Sequence, residues 1–137
     1  ALNASVELYK GGVVPLAEYA QRPYDRDILV RVLVPKENAR FVYQSVRNSQ
    51  TDFPVLTCAA AKLADGSIRA AIGARPGKAV LYTAAPEAGE TAEEFAARFA
   101  AEVKAGIKTE SNLRGGAEYR RHLAGVLTKR AVGRLEG

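Results

Sequence analysis

Between Asn112 and Arg134 the chain reads NLRGGAEYRRHLAGVLTKRAVGR, a glycine-broken loop running into a long segment of helical period. Apolar side chains recur at Tyr119, Leu123, Val126, Leu127 and Ala131, the spacing that lines one side of a helix. Arg120, Arg121, Lys129, Arg130 and Arg134 fall largely on the rest of the circumference. Glu118 in the first turn and the basic residues toward the end complement the helix macrodipole, which specifies where the helix starts and which way it runs. A helix with one apolar side has to be covered, so the upstream chain is expected to supply its partners.

One partner is a second helix. Thr91 followed by Glu94 matches a capping box, and Phe95, Phe99, Val103 and Ile107 recur every four residues behind it. An aromatic stripe of this kind reads as core rather than as a cofactor box. The other partner is sheet. Residues 4–9 alternate apolar and polar, Lys10-Gly11-Gly12 turns the chain, Val13-Val14 returns, and Pro15 to Tyr19 start a short helical turn. After a polar break at 21–26, Ile28, Val30, Val32 and Val34 alternate toward Pro35. A loop at 35–38 then leads to Phe41, Tyr43 and Ser45, which alternate with Val42, Gln44 and Val46. Asp65-Gly66 between two apolar segments signals a hairpin, because glycine tolerates positive φ. Residues 73–78 read as loop and 79–82 as a short extended piece. Strands first and helices last predict an α+β fold: an antiparallel sheet of three to four strands (28–34, 40–46, 55–63 and 67–73) with helices near 91–107 and 116–134 packed on one face. Phe95, Phe99, Val103, Tyr119, Leu123 and Leu127 are the expected core.

Composition narrows the function classes. At 137 residues and 47% hydrophobic content the chain suits a single modest core. It has no apolar run of about 18 residues for a membrane span and no secretory leader, so a cytoplasmic setting is the default. Methionine is absent even at position 1, which fits a fragment. The +5 charge and pI near 9.5 are spread from Lys10 to Arg134 with no RNA or helix-turn-helix signature, which reads as solvated surface rather than a nucleic-acid patch. One cysteine and one histidine assemble neither a disulfide nor a structural zinc site. Gly73 to Lys78 resembles a phosphate loop only loosely, with three residues between its glycines instead of four and Ala79 where Ser or Thr is needed. Cys58 falls in an apolar strand, His122 stands alone, and Asp25, Asp27 and Asp52 sit beside turn residues that explain them. No catalytic set is visible.

The string RGGAEYRRHLAGVLTKRAV resembles the closing signature of the FAD-binding subunit of molybdenum hydroxylases, the group of the carbon monoxide dehydrogenase and xanthine dehydrogenase flavoproteins. DILVRVLVPKENARFVYQSVR is similar to that family's strand, Val-Pro turn and strand, and the likeness covers most of residues 4–134. The resemblance implies that residues 1–20 are the tail of a preceding FAD-binding domain and residues 21–137 a CO dehydrogenase flavoprotein C-terminal-like domain. It implies an oxidoreductase with FAD in the intact subunit, and molybdopterin and iron–sulfur clusters on partner subunits. This chain would be a wall of the flavin site and a docking surface, inactive alone and not expected to hold FAD by itself. By position, Leu29 supplies an apolar cofactor contact, and Gln44 stands where the family usually carries Lys. Nucleic acid and membrane are not expected as partners. The alternative is a non-enzymatic protein-interaction module.

Overall fold

A computed structural model describes residues 1–24, 26–36 and 40–137 of the chain. Asp25 and half of the expected 35–38 loop lie outside these. The chain divides into two compact units, Ala1–Asn38 and Ala39–Gly137.

In the first unit, β1 (Ser5–Leu8) and β2 (Gly12–Pro15) form the hairpin that the Lys10-Gly11-Gly12 turn predicts, with Val6 opposite Val14. The Asp27 carboxylate accepts hydrogen bonds from the N–H groups of Lys10, Gly11 and Ile28, which closes the turn. That local role is the one expected of it. The short helix α1 (Leu16–Tyr19) follows, and Tyr19 packs on a small core of Val6, Leu8 and Val14. β3 (Leu29–Leu33) then adds to the far side of β1, giving the order β2-β1-β3. This corrects the expectation that residues 28–34 join the sheet containing 40–46. Alternation identifies a strand but says nothing of its partner. The partner is decided by cross-strand matches such as the Arg31–Glu7 ion pair and Val6 opposite Val32. All five residues of β3 are exposed, because a single helical turn cannot cover three strands.

The second unit carries the main core. β4 (Arg40–Val46), β5 (Leu56–Lys62), β6 (Ile68–Gly73) and β7 (Val80–Ala84) form an antiparallel meander in sequence order. The β5–β6 connection is the predicted Asp-Gly turn: Gly66 sits at φ +83°, and Asp65 accepts from the backbone N–H and hydroxyl of Ser67. Leu56, Cys58 and Ala60 face the same way as Ile68, Ala70 and Ile72, and all six are buried beneath the helices. Phe41, Tyr43 and Leu81 on the opposite face are exposed, so the helices cover one face as expected. β7 extends the predicted sheet by one strand, with Tyr82 opposite Ala70.

Helix α2 (Ala92–Gly106) starts at the predicted capping box: Glu94 N–H donates to Thr91 Oγ1 at 3.3 Å, and Thr91 N–H to Glu94 Oε2 at 2.9 Å. Phe95, Phe99, Val103 and Ile107 are buried, with the two phenyl rings stacked 6.0 Å apart. Helix α3 (Ala117–Glu136) buries Leu123, Leu127 and Ala131, but Tyr119 is half exposed and Arg120 takes the core position. That corrects the expected stripe by one residue. A tyrosine keeps its hydroxyl wet at the rim, while an arginine can enter when its five donors find acceptors.

Two outcomes follow. Phe99→Ala should lower unfolding free energy in urea by about 3–5 kcal/mol, the range for a fully buried aromatic. Arg98 clamps Glu90 at 2.8 Å, and hydrogen bonds from Arg98, then from the Glu87 backbone N–H, pull the Glu90 pKa from 4.5 to about 2. The folded value lies below the unfolded one, so this contribution is present above pH 4.5 and is lost as the pH falls from there through about 2. Melting temperatures of the wild type and Glu90→Gln should differ near neutrality and converge across that window.

Candidate functional site

A dense polar constellation lies where the β4–β5 loop meets the α2–α3 loop, and the buried Arg120 is at its centre. The Arg120 side chain donates from Nε to the Val55 carbonyl at 2.9 Å and from Nη1 to the Glu110 and Gly115 carbonyls, both at 2.6 Å. Nη2 donates to Asn112 Oδ1, also at 2.6 Å. Arg120 has no carboxylate partner among the described residues, and burial lowers its pKa from the usual arginine value. Four oxygen dipoles take the place of a counter-ion. A planar fork with fixed donor directions can do this, and a point-charge ammonium cannot.

Asn112 and Gly115 bridge each other through paired backbone hydrogen bonds at 3.1 and 3.2 Å, so Leu113 and Arg114 form the tip of a tight loop. A Cβ at Gly115 would lie 3.0 Å from the Val55 side chain, so any larger residue would press on the start of β5. Across the gap, Arg114 Nε pairs with Asp52 at 3.0 Å, its guanidinium lies 5.2 Å from the centre of the Phe53 ring, and its carbonyl accepts from Asn48. Hydrogen bonds from the Phe53 N–H and then from Arg114 hold the Asp52 carboxyl below the usual range. Asp52 is thus structural, as expected. Arg47 donates to the Asp52 carbonyl.

The two residues expected at a cofactor fall in different units. Leu29 begins β3 and is 43% exposed. Gln44 lies on β4, the edge strand, opposite Cys58 and therefore on the helix-covered side. Its Nε2 is buried with no hydrogen-bond partner among the described residues. Cys58 is fully buried, and desolvation pushes its thiol up to about 11, opposed by the Thr128 hydroxyl. His122 is exposed on α3 and makes no hydrogen bond among the described residues, so no nucleophile and base are brought together. The 73–78 loop is a surface turn closed by Arg75, which donates to the Lys78 and Lys108 carbonyls at 2.7 Å. Among the described residues no helix is long and apolar enough to cross a membrane.

The family of CO dehydrogenase flavoprotein C-terminal domains matches residues 41–135, which takes in the whole sheet of the second unit except Arg40 and all of the Arg120 network. The chain belongs to this family. The resemblance read from the C-terminal string is borne out, and within that string Arg120 is the first of the paired arginines. This flavoprotein C-terminal domain is similar in fold to three solved structures. Carbon monoxide dehydrogenase from Hydrogenophaga pseudoflava matches with a TM-score of 0.78 at 23% identity. Quinoline 2-oxidoreductase from Pseudomonas putida 86 matches at 0.76 and 20%, and reconstituted CO dehydrogenase from Oligotropha carboxidovorans at 0.75 and 20%. Each alignment covers 98% of this chain and 53% of the other, so the chain spans about half the length of the solved chains. No curated protein matches the sequence. What sequence reasoning missed is Arg120. The signal available was its spacing of three and seven residues before Leu123 and Leu127, which hydropathy hides because the residue is charged.

The network carries its own test. Arg120→Met should strand several buried carbonyls and destabilise the domain by on the order of 3 kcal/mol, and Arg120→Lys should recover little of it. Urea unfolding of both variants checks this. A lysine variant as stable as the wild type would show that charge alone suffices.

Proposed function

We propose that this chain is the C-terminal part of the FAD-carrying subunit of a molybdenum hydroxylase-type oxidoreductase, where it forms a wall of the flavin site and a docking surface without catalysing a reaction itself. The family match over residues 41–135 is the observation that carries this reading. Residues 1–20 are assigned to the tail of a preceding FAD-binding domain, and residues 21–137 to the CO dehydrogenase flavoprotein C-terminal-like domain. Iron–sulfur and molybdopterin subunits would be the partners.

Two features of the chain suit a flavin wall. β3 presents apolar side chains that its own unit leaves uncovered, Leu29 among them. The Gln44 amide on the edge strand is a buried donor with no acceptor among the described residues, which a cofactor oxygen at the strand edge would supply. When bound, FAD would supply the electron transfer, and the protein groups would supply position and polarity. One apolar contact and one neutral hydrogen bond worth about 1 kcal/mol cannot offset the several kcal/mol that association costs, so the grip on the cofactor must come from elsewhere in the subunit.

The isolated chain should therefore purify colourless. In the intact subunit, Gln44→Lys should tighten FAD binding at low salt and lose that advantage at high salt, because a lysine adds a screened positive charge beside an anionic cofactor. Titration of FAD fluorescence against both proteins measures this. Micromolar FAD binding by the isolated chain, or a lysine variant of unchanged affinity, would remove Gln44 from the cofactor site.

A further inference from the structure

The C-terminal end of α2, the segment that follows it and Arg121 of α3 line a groove of about 630 Å³. That lies within the roughly 300–1,000 Å³ of small-molecule sites. Ala101, Ala105 and Ile107 give the groove an apolar floor, and its charged side chains are Lys104, Lys108 and Arg121. None of the three side chains forms an ion pair or a hydrogen bond among the described residues. The neighbouring carboxylates lie outside the groove: Glu102 turns to Arg98 at 3.0 Å, while the exposed Glu110 and Glu118 neither line the groove nor pair with its cations.

Unpaired surface cations are ordinary, and Arg130 and Arg134 are two more on α3. Lysines beside a helix C-terminus also complement the macrodipole, which accounts for Lys104 and Lys108. Neither reason covers Arg121, which sits early in α3, where the dipole offers a cation nothing, and yet lines the same groove. The walls are held from behind. Arg75 Nη1 donates to the Lys108 carbonyl at 2.7 Å, and the Thr109 hydroxyl donates to the Ala117 carbonyl at 2.8 Å. A Cβ at Gly125, one turn beyond Arg121, would lie 3.4 Å from both the Ala100 carbonyl oxygen and Lys104 Cβ, so the two helices approach closely beside the groove.

Three convergent cations favour one kind of anion. A carboxylate brings one charge and two oxygens, whereas a phosphoryl dianion brings two charges and three oxygens to a guanidinium fork and two ammonium groups. The three cations share one groove instead of tracking along a face, which suits a compact ligand rather than a polymer. We propose that the groove between α2 and α3 binds a small molecule carrying a dianionic phosphoryl group on an apolar body. Lys104, Lys108 and Arg121 hold the phosphoryl oxygens, and the apolar body lies on Ala101, Ala105 and Ile107.

The experiment titrates phenyl phosphate into the full-length protein at low salt by isothermal titration calorimetry, with orthophosphate and acetate as comparison titrants and the melting temperature of each variant recorded. Phenyl phosphate should bind saturably and more tightly than orthophosphate, because its ring covers apolar floor, and acetate should bind about tenfold more weakly than orthophosphate. Arg121→Gln, and Lys104→Gln combined with Lys108→Gln, should each weaken phenyl phosphate about tenfold. Their melting temperatures should match the wild type, since these side chains are exposed and unpaired. Ala101→Glu sets a carboxylate among the cations and should weaken binding at least as much. Arg130→Gln lies nine residues beyond Arg121, on the opposite side of α3, and should bind as the wild type does. No saturable binding of phenyl phosphate, or binding that Arg121→Gln and Ala101→Glu leave unchanged, overturns the site. Acetate binding as tightly as phenyl phosphate overturns the phosphoryl ligand. Equal weakening by Arg130→Gln and Arg121→Gln overturns the groove in favour of diffuse charge attraction.

Discussion

A buried guanidinium with no carboxylate partner among the described residues is the interaction on which the second unit depends. Placing Arg120 in the core would be prohibitive without acceptors, since an uncompensated buried charge is among the most destabilising features a fold can carry. The chain meets this by aiming the Val55, Glu110 and Gly115 carbonyls and the Asn112 side chain at the fork. Those four oxygens belong to the strand β5 entry and to the loop before α3. The same contacts that solvate the charge therefore fix the α2–α3 loop against the sheet.

Other features line up behind that constraint. Glycine at 115 follows from the closeness of the loop to Val55. The N-terminus of α3, whose Gly116 N-cap has no side chain to offer, is served by the Ser111 hydroxyl accepting from Ala117 N–H at 2.9 Å. Thr109 donates to the Ala117 carbonyl at 2.8 Å from the other side. Loops at this end of the sheet are thus tied down by side chains, while the hydrophobic core between sheet and helices supplies most of the stabilisation. Among the described residues the first unit has a small core of Val6, Leu8 and Val14 with Tyr19 packed on it, and β3 stays exposed.

Local signals in the sequence reached a long way. The Thr91–Glu94 box located α2 because capping is a three-residue interaction visible in the letters. The Asp65-Gly66 turn located a hairpin for the same reason: positive φ is a property of one residue. The Phe95, Phe99, Val103 and Ile107 stripe declared its own burial through periodicity. Even the family was legible, because the string around Glu118 to Arg121 carries the loop and helix entry built on Arg120.

What the letters left open was everything decided between distant segments. β3 has the pattern of any half-buried strand, and only the register with β1 assigns it to the first unit's sheet. Tyr119 and Arg120 are neighbours on one helix, and hydropathy favours the tyrosine for the core. The choice went to Arg120 because carbonyls from residues 55, 110 and 115 converge there, an arrangement that exists only after the chain has folded. Gln44 shows the same limit, since its alternation places it on a strand while its pairing with Cys58 turns it toward the helices. Sequence by itself determined the elements, their caps and their turns, because those interactions span a few residues. Tertiary structure decided partner strands, the buried cation and the exposed Leu113 tip, because each is the sum of contacts between segments far apart in the chain.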